Sequence, residues 1–186
     1  MKGKWDEKVL LYKVRTEKDP DAFGRLYDLY IDKIYRFIYF KLNNKEETED
    51  LTSGVFLKVW SYLIVGPGKE IDSFSGLVYK VARNSLIDLY REKAKRHEFP
   101  LEQGLEQIAD TKEIKAIENL PEIEMLLKKL KRLKQDYQEV LTMRYVEELT
   151  VREIAEILGK SNINIRVTLH RATKKLQELV GDEQID

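Results

Sequence analysis

Apolar residues recur at helical spacing through most of the chain. Near the start, one series advances in steps of three and four residues: Phe23, Leu26, Tyr27, Tyr30, Ile34, Phe37, Ile38 and Leu42. These steps match the 3.6 residues of an α-helical turn. Asp19 followed by Pro20 is typical of a helix start, because aspartate caps free backbone N–H groups and proline fits the first turn. The pattern therefore predicts a long amphipathic helix beginning near residue 20.

Two more helices are predicted before residue 97. Asn44 and Glu47 resemble a capping box, and the helix that they open carries apolar residues on one side: Leu51, Val55, Phe56, Val59, Trp60 and Leu63. Gly66-Pro67-Gly68 predicts a break in the chain. Ser73 can cap the next helix, whose inward positions are predicted to be Phe74, Leu77, Val78, Val81, Ser85, Leu86 and Leu89. That helix ends in the basic run 91–96.

The pattern changes after residue 97. Residues 98–118 are acidic and lack an apolar stripe, which is typical of a linker. Helical spacing resumes near Leu120-Pro121 and continues with a charged helix, the segment 137–145 and two short helices. No alternating pattern is long enough to argue for a sheet. The sequence therefore predicts an all-α fold of two small helical domains, residues 1–97 and 119–186, joined by an acidic linker.

Residues 149–179 carry the pattern of a helix-turn-helix. Thr150 and Glu153 form a capping box for the first helix, Gly159 suits the left-handed residue that ends it, and Ser161 caps the second helix. A small residue, Ala155, allows the two helices to cross closely. The positions expected to face inward are Ile154, Ala155 and Leu158 in the first helix, and Ile165, Leu169, Ala172 and Leu176 in the second.

The opposite face of the second helix is polar and basic. It presents Asn162, Asn164, Arg166, Thr168, Arg171, Lys174 and Lys175. Polar side chains at the amino end of such a helix can read base edges in the major groove, while arginine and lysine hold phosphates. The alternative is a helical hairpin with a solvated basic face. The caps, the glycine turn and the basic face occur together, which favours DNA binding.

Charge and composition agree with this interpretation. The net charge of zero hides two basic ends, because residues 1–97 carry 19 basic and 15 acidic residues, whereas residues 98–124 carry 2 and 8. With no Cys and only His97 and His170, neither a metal, a cofactor nor a catalytic residue is expected. Glu46, Glu49 and Asp50 are better explained by the positive start of a helix than by a metal. No run of membrane-spanning length or signal-peptide core is present, so a cytoplasmic protein is expected.

Residues 21–179 resemble the extracytoplasmic-function (ECF) sigma factors. DAFGRLYDLYIDKIYRF and EDLTSGVFLKVW resemble the start of that family's region two, and FSGLVYKVARNSLIDLYREKAKR resembles its promoter-reading helix. VLTMRYVEELTVREIAEILGKSNINIRVTLHRATKKL resembles its region four. The resemblance implies a protein without enzymatic activity that binds core RNA polymerase, through the β′ clamp helices and the β flap, and directs it to promoter DNA. It leaves open whether an anti-sigma factor is a further partner.

The resemblance also implies roles for particular residues. Those on the polymerase-binding helix are Asp50, Leu51, Phe56, Lys58 and Trp60. Those facing the −10 element are Lys80, Arg83, Asn84, Asp88, Arg91 and Lys95, beside a loop over residues 61–73 that captures a flipped base. Those approaching the −35 element are Ser161, Asn164, Arg166, Val167, Thr168, His170, Arg171, Lys174 and Lys175.

Several positions depart from the family pattern. Ser53-Gly54 replace a Gln-Glu pair, Leu77 replaces a tryptophan, Lys134 replaces a proline, and Ile163 and Val167 replace small polar residues. Ser53-Gly54 keeps open a second hypothesis, a helix-turn-helix regulator that no longer recruits polymerase. A third hypothesis, a nuclease with a helix-turn-helix appendage, is disfavoured because no paired carboxylate and histidine set, nucleophile elbow or phosphate loop is present.

Overall fold

A computed structural model describes residues 2–66, 71–95 and 128–181. Contacts divide the chain into two compact units, residues 1–107 and 108–186. The described ranges contain helices and no strand, which confirms the all-α prediction. The predicted linker, residues 98–118, lies outside the described residues, so its character stays a prediction.

The described part of the first unit contains four helices: α1 (Lys2–Glu17), α2 (Pro20–Leu42), α3 (Lys45–Val65) and α4 (Phe74–Lys95). The start of α2 is as predicted, since the Asp19 carboxylate accepts hydrogen bonds from the backbone N–H groups of Asp21 and Ala22. Helix α1 was not singled out in the sequence. It contributes Leu10, Leu11 and Val14 to the core.

The core of the first unit lies where α2, α3 and α4 pack together. Its fully buried side chains include Leu26, Ile34, Ile38, Val55, Val59, Phe74, Val78 and Tyr79. On α4 the predicted inward positions Leu77, Val81 and Leu89 are only half-buried. Tyr79, Ala82 and Tyr90 are buried in their place. Helix α4 packs against α1 and α2 as well as α3. These three neighbours determine which of its residues are buried, and the apolar stripe in its own sequence does not.

Long-range polar contacts fix α4 against the other helices. The Glu7 carboxylate of α1 accepts hydrogen bonds from the Phe74 backbone N–H at 3.0 Å and from the Tyr30 hydroxyl at 2.5 Å. On α3, both carboxylate oxygens of Glu47 bind Lys93 Nζ, at 2.6 and 2.7 Å. The Tyr90 hydroxyl donates to the Lys41 carbonyl at 2.5 Å, near the end of α2. The outward face of α4 is thereby held in a defined rotation.

The second unit contains α5 (Gln135–Leu141), a π-helix (Thr142–Val146), α6 (Val151–Leu158) and α7 (Asn162–Gly181), preceded by helical residues 128–131. Its core includes Val140, Met143, Ile154, Ile165 and Ala172. Helix α7 has 20 residues, so the prediction of two short helices is correct for α6 and wrong for α7. The buried Lys129 donates to the Val180 carbonyl at 3.4 Å, which holds the far end of α7.

Candidate nucleic-acid and polymerase interfaces

The local bonds of the helix-turn-helix are those that the sequence predicted. The Thr150 backbone N–H donates to Glu153 Oε2 at 2.8 Å, and the Glu153 N–H donates to Thr150 Oγ1 at 3.3 Å. Gly159 adopts φ 64°, the left-handed conformation that ends α6. Ser161 Oγ accepts from the Asn164 N–H at 3.2 Å. The turn and the start of α7 are therefore confirmed.

Helix α7 packs on α6 through its buried positions Ile165 and Ala172. On α6, Ile154 and Ala155 are buried as expected, but Ile157 is buried where Leu158 was predicted. Leu158 is half-buried. Helix α6 contacts the π-helix as well as α7. Its buried surface is therefore wider than the single apolar stripe that the sequence predicted.

The opposite face of α7 is open to solvent. Of the nine positions predicted to approach DNA, Thr168 is half-buried and eight are exposed: Ser161, Asn164, Arg166, Val167, His170, Arg171, Lys174 and Lys175. The Thr168 hydroxyl donates to Asn164 Oδ1 at 3.2 Å. The structure therefore brings the predicted set together on one helix.

The two lysines of this face differ. Lys175 Nζ lies 2.9 Å from Glu178 Oε2. The hydrogen bond from Lys175, and then its positive charge, lower the pKa of the Glu178 carboxyl below its usual value. Glu178 stays ionised and partly offsets the charge of Lys175. Lys174 lies on the outer side of the helix and is the better placed of the two for a phosphate.

A second basic face runs along α4. Lys80, Asn84, Asp88, Arg91 and Lys95 follow one another at steps of three and four, so they share one side of the helix. Asn84, Asp88, Arg91 and Lys95 are exposed and Lys80 is half-buried. Asp88 Oδ1 lies 3.6 Å from an Arg91 guanidinium nitrogen. Arg83, also half-buried, lies to the side of this stripe.

The predicted polymerase-binding residues of α3 do not all face outward. Asp50 and Lys58 are exposed, and Leu51 and Trp60 are half-buried. Phe56 has an exposed fraction of 3% and its ring lies 4.6 Å from that of Tyr27. This burial gives no support to a direct contact between Phe56 and a partner, and that assignment stays a prediction. Its position on the apolar side of α3 places it in the core.

Leu57, the next residue along, was missed. Its side chain is 67% exposed, and it lies two turns from Asp50 on the same side of α3. Lys58, the next residue in sequence, is also exposed and lies at the edge of this side. The signal was available in the sequence, because Leu57 is a large aliphatic residue of α3 that lies off the inward stripe.

Lys58 also has a structural role. Its Nζ donates to Ser85 Oγ on α4 at 3.0 Å. Ser85 is buried, and removing its donor would disturb the packing of α3 on α4. Substitutions of Lys58 therefore change two properties at once, whereas substitutions of Asp50 and Leu57 act on the exposed face.

The Ser53-Gly54 departure lies on the outer side of α3. Ser53 is exposed and its hydroxyl donates to the Glu49 carbonyl at 2.9 Å. No atom lies within 4 Å of where a Cβ at Gly54 would stand. The glycine is not required by close packing, and this side of the helix has room for larger side chains.

The segment expected to capture a flipped base begins later than predicted. Residues 61–65 belong to α3, which ends at Val65 with the Gly66 N–H donating to the Tyr62 carbonyl at 2.9 Å. The described part of the connection is Gly66 and residues 71–73. Ser73 Oγ accepts from the Gly76 N–H at 3.1 Å, which confirms Ser73 as the cap of α4.

Comparisons with known proteins match both units. The sigma-70 region 2 family matches residues 26–96, and sigma-70 region 4 matches residues 123–176. The chain is 30% identical over 173 residues to the ECF RNA polymerase sigma factor SigW of Bacillus subtilis, covering 88% of this chain and 91% of SigW. It is 32% identical over 167 residues to the ECF RNA polymerase sigma factor BldN of Streptomyces coelicolor. That match covers 89% of this chain but 62% of BldN.

Solved structures show the same fold. CnrH, crystallised with the cytosolic domain of CnrY, superimposes with a TM-score of 0.61 at 19% identity, over 95% of this chain and 98% of CnrH. The sigma factor RpoE, solved with the anti-sigma factor NepR from Bartonella quintana, superimposes with a TM-score of 0.56 at 18% identity, over 86% of this chain and 96% of RpoE. At such identities the likeness concerns the fold.

Two units with matches to regions 2 and 4, in the order of a sigma factor, define the class as a promoter-directing transcription factor. The chain belongs to the ECF family of RNA polymerase sigma factors. Its relatives are transcription factors and not enzymes. Within the described ranges, no group of His, Asp or Glu side chains is arranged to hold a metal ion, and none of the helices there is long and apolar enough to cross a membrane.

Proposed function

We propose that this protein is a cytoplasmic, non-enzymatic sigma factor that reads the −35 element with α7 and the −10 element with α4 and the preceding segment. The observation that carries the proposal is the occurrence of two exposed basic helix faces, one in each unit, each lying in a region matched by the sigma-70 family. Binding to core polymerase is assigned to the outer side of α3.

The −35 assignment is supported by the geometry of the helix-turn-helix. Its second helix is capped at Ser161, anchored by Ile165 and Ala172, and exposed on the opposite side. A helix held in this way can enter the major groove with its amino end toward the bases. Arg166 lies near that end and Arg171 lies further along the same helix, and arginine at such positions reaches base edges or phosphates.

The −10 assignment is supported by the stripe on α4. Arg91 and Lys95 lie at its carboxyl end, and Asn84 lies at its middle. Capturing an extruded base from a single strand needs a pocket and backbone contacts. The segment 66–73 precedes this helix directly in the chain, and the capture is assigned to it because the family resemblance implies that role. Lys93 is excluded from this surface because it is bound to Glu47.

The partners follow from the same assignment. Core RNA polymerase, through the β′ clamp helices and the β flap, and promoter DNA are proposed as the functional partners. An anti-sigma factor is proposed as a regulatory partner, since RpoE of Bartonella quintana is bound by NepR.

Run-off transcription tests the function as a whole. Core polymerase and the full chain are combined on a library of promoter sequences, and transcripts are sequenced. Enrichment of templates sharing two elements is expected only when the chain is present. A chain that binds DNA but neither binds core polymerase nor supports transcripts would establish the regulator hypothesis instead.

The polymerase surface is tested by two variants of α3. Asp50→Ala and Leu57→Ala are each expected to weaken binding of core polymerase about 5- to 30-fold, as loss of 1–2 kcal/mol at an interface would. Leu29→Ala on α2, where the leucine is 50% exposed, is a matched control. Affinities are measured by fluorescence anisotropy of labelled chain. Equal affinities for the unsubstituted chain and all three variants would show that this side of α3 is not the interface.

Two variants distinguish base contacts from phosphate contacts on α7. They are Arg166→Ala and Lys174→Ala, and both are assayed in holoenzyme. Arg166→Ala is expected to cost about 1–3 kcal/mol on the preferred −35 sequence and to relax specificity there. Lys174→Ala is expected to weaken all sequences alike and to lower the salt dependence by about one unit. Lys175→Ala should have a smaller effect because Lys175 is bound to Glu178. Identical, sequence-independent losses for Arg166→Ala and Lys174→Ala would make α7 a phosphate anchor only.

A further inference from the structure

Two apolar side chains stand on the outer face of α7, where a polar surface is expected. Ile163 is 73% exposed and Val167 is 42% exposed. Both are β-branched, and exposing them to water costs free energy that burial would recover. Neither residue contributes to the core, and both lie on the face of α7 that is proposed to approach DNA.

Their position on the helix is central. Since successive residues of an α-helix are about 100° apart, Ile163 and Val167 lie within about 40° of each other. Each is about 160° from Ile165, which is fully buried. The two residues therefore form a narrow apolar strip on the side opposite the anchor. When α7 lies in the major groove, this strip is the part of the helix that points toward the floor of the groove.

The surroundings of the strip match DNA. Asn164 and Arg166 border it near the amino end, and Arg171 and Lys174 border it further along, all exposed. The apolar core of a protein–protein interface is a contiguous patch of many side chains, whereas this strip consists of two side chains enclosed by amide, guanidinium and ammonium groups. Phosphates on both sides and an apolar group between them are the features of a major groove containing thymine, whose C5-methyl group is the apolar contact point.

We propose that Ile163 and Val167 determine base specificity by contacting thymine C5-methyl groups in the −35 element. The inference rests on the proposed reading of that element by α7. It predicts that the preferred −35 sequence contains at least one thymine whose methyl group, and not its hydrogen-bonding edge, is recognised. Flanking polar residues would set register, while the apolar strip selects T·A pairs.

Deoxyuridine provides a direct test, because it differs from thymidine only by the absence of the C5-methyl group. The promoter selected from the library is bound by holoenzyme with each −35 thymine, on either strand, replaced in turn by deoxyuridine. Loss of one buried methyl group is expected to lower affinity about fourfold at one or two positions. With Val167→Ala or Ile163→Ala, affinity for the thymine promoter should fall and the preference for thymine over deoxyuridine at one of those positions should disappear.

Val146→Ala is the matched control, since Val146 is 53% exposed in the same unit but lies on the π-helix. It should retain the full preference for thymine. Persistence of the preference in both α7 variants, or the absence of any deoxyuridine-sensitive position, would overturn the inference. Loss of core-polymerase binding with an unchanged preference would also overturn it and would assign the strip to a protein. A holoenzyme that neither protects nor selects a −35 element would instead contradict the proposed function.

Discussion

Tyr90 shows how a single hydroxyl connects two helices. It lies on α4, is 9% exposed, and donates to the Lys41 carbonyl of α2 at 2.5 Å. A carbonyl in the last turn of a helix has no partner within that helix, so the tyrosine satisfies it. Burial, and then the negative charge of Glu47, raise the pKa of Tyr90 to about 12.

This shift predicts a loss of stability in alkali. An unfolded chain ionises Tyr90 near pH 10, whereas the folded unit holds the proton up to about pH 12. The stabilisation is therefore complete below pH 10 and lost as the pH rises toward 12. At pH 7, Tyr90→Phe is expected to cost about 1 kcal/mol through the lost hydrogen bond. Between pH 10 and 12 the variant should lose less stability than the unsubstituted chain, as measured by urea unfolding at each pH. If the variant and the unsubstituted chain lost the same unfolding free energy between pH 10 and 12, the raised pKa of Tyr90 would be contradicted.

The residues that fix α4 were the hardest to predict. Glu47 was recognised as part of a cap, and Asn44 Oδ1 does accept from the Glu47 N–H at 3.0 Å. The Glu47 carboxylate, however, binds Lys93, which is 46 residues away. Local patterns determine caps because the atoms involved are within one turn. They contain no information about which distant charge a side chain meets, so Lys93 was grouped with the exposed basic run.

At the scale of the helix, α3 carries a glycine that packing does not require. Gly54→Ala is expected to raise the stability of the first unit by about 0.5–1 kcal/mol, because alanine loses less backbone entropy on folding. Gly24→Ala on α2, where a Cβ also meets no atom within 4 Å, should give a similar gain. Gly66→Ala should destabilise, since its Cβ would clash with the Tyr62 carbonyl. Thermal unfolding by circular dichroism measures all three.

A gain at Gly24 without one at Gly54 would indicate a cost specific to α3. If both substitutions raise the stability, folding does not explain why residue 54 is glycine, and a functional reason remains. In that case the affinity of Gly54→Ala for core polymerase is compared with that of the unsubstituted chain. A weaker affinity would show that the absence of a side chain at this position favours binding.

Helices with caps and one apolar stripe were predictable, and α2, α6 and the start of α7 are examples. Helix α1 was not, because its three buried residues, Leu10, Leu11 and Val14, are too few to stand out among charged neighbours. The rotation of α4 was also missed. Its aromatic residues Tyr79 and Tyr90 became buried through tertiary contacts, which the local period does not contain.

At the scale of the molecule, the two units are predicted to be separable by proteolysis. The segment 98–118 contains five glutamates, so brief treatment with a glutamyl endopeptidase should cut there first. Glutamates bound within the units, such as Glu47 and Glu153, should resist. Mass spectrometry of the products is expected to give two stable fragments near residues 1–98 and 119–186. A resistant core that spans the segment would contradict the separation into two domains.

The order and class of the two units were readable from sequence, because each has its own apolar pattern and each resembles one region of a family. The exposure of the candidate residues was predictable in part. Eight of the nine predicted −35 residues are exposed, whereas Phe56, which the resemblance assigned to the polymerase surface, is buried and Leu57 beside it is exposed. A stripe predicts which side of a helix is buried, but it does not predict how far around the helix the burial extends.

The Glu7 carboxylate has a consequence for the order of folding. It joins α1 to the first N–H of α4, across 67 residues of chain, and it lies at the positive end of that helix. A ribosome adds about 5–20 residues per second, so Phe74 is synthesised about 3–13 seconds after Glu7. During that interval the carboxylate lacks this donor, and closing so long a loop is costly until the helices between are in place. Before Phe74 is made, the Tyr30 hydroxyl of α2 can already donate to the same carboxylate, and Ser73 later caps the amino end of α4 locally. The contact between α1 and α4 is therefore completed late, and it adds a long-range tie to the helix proposed to face the −10 element.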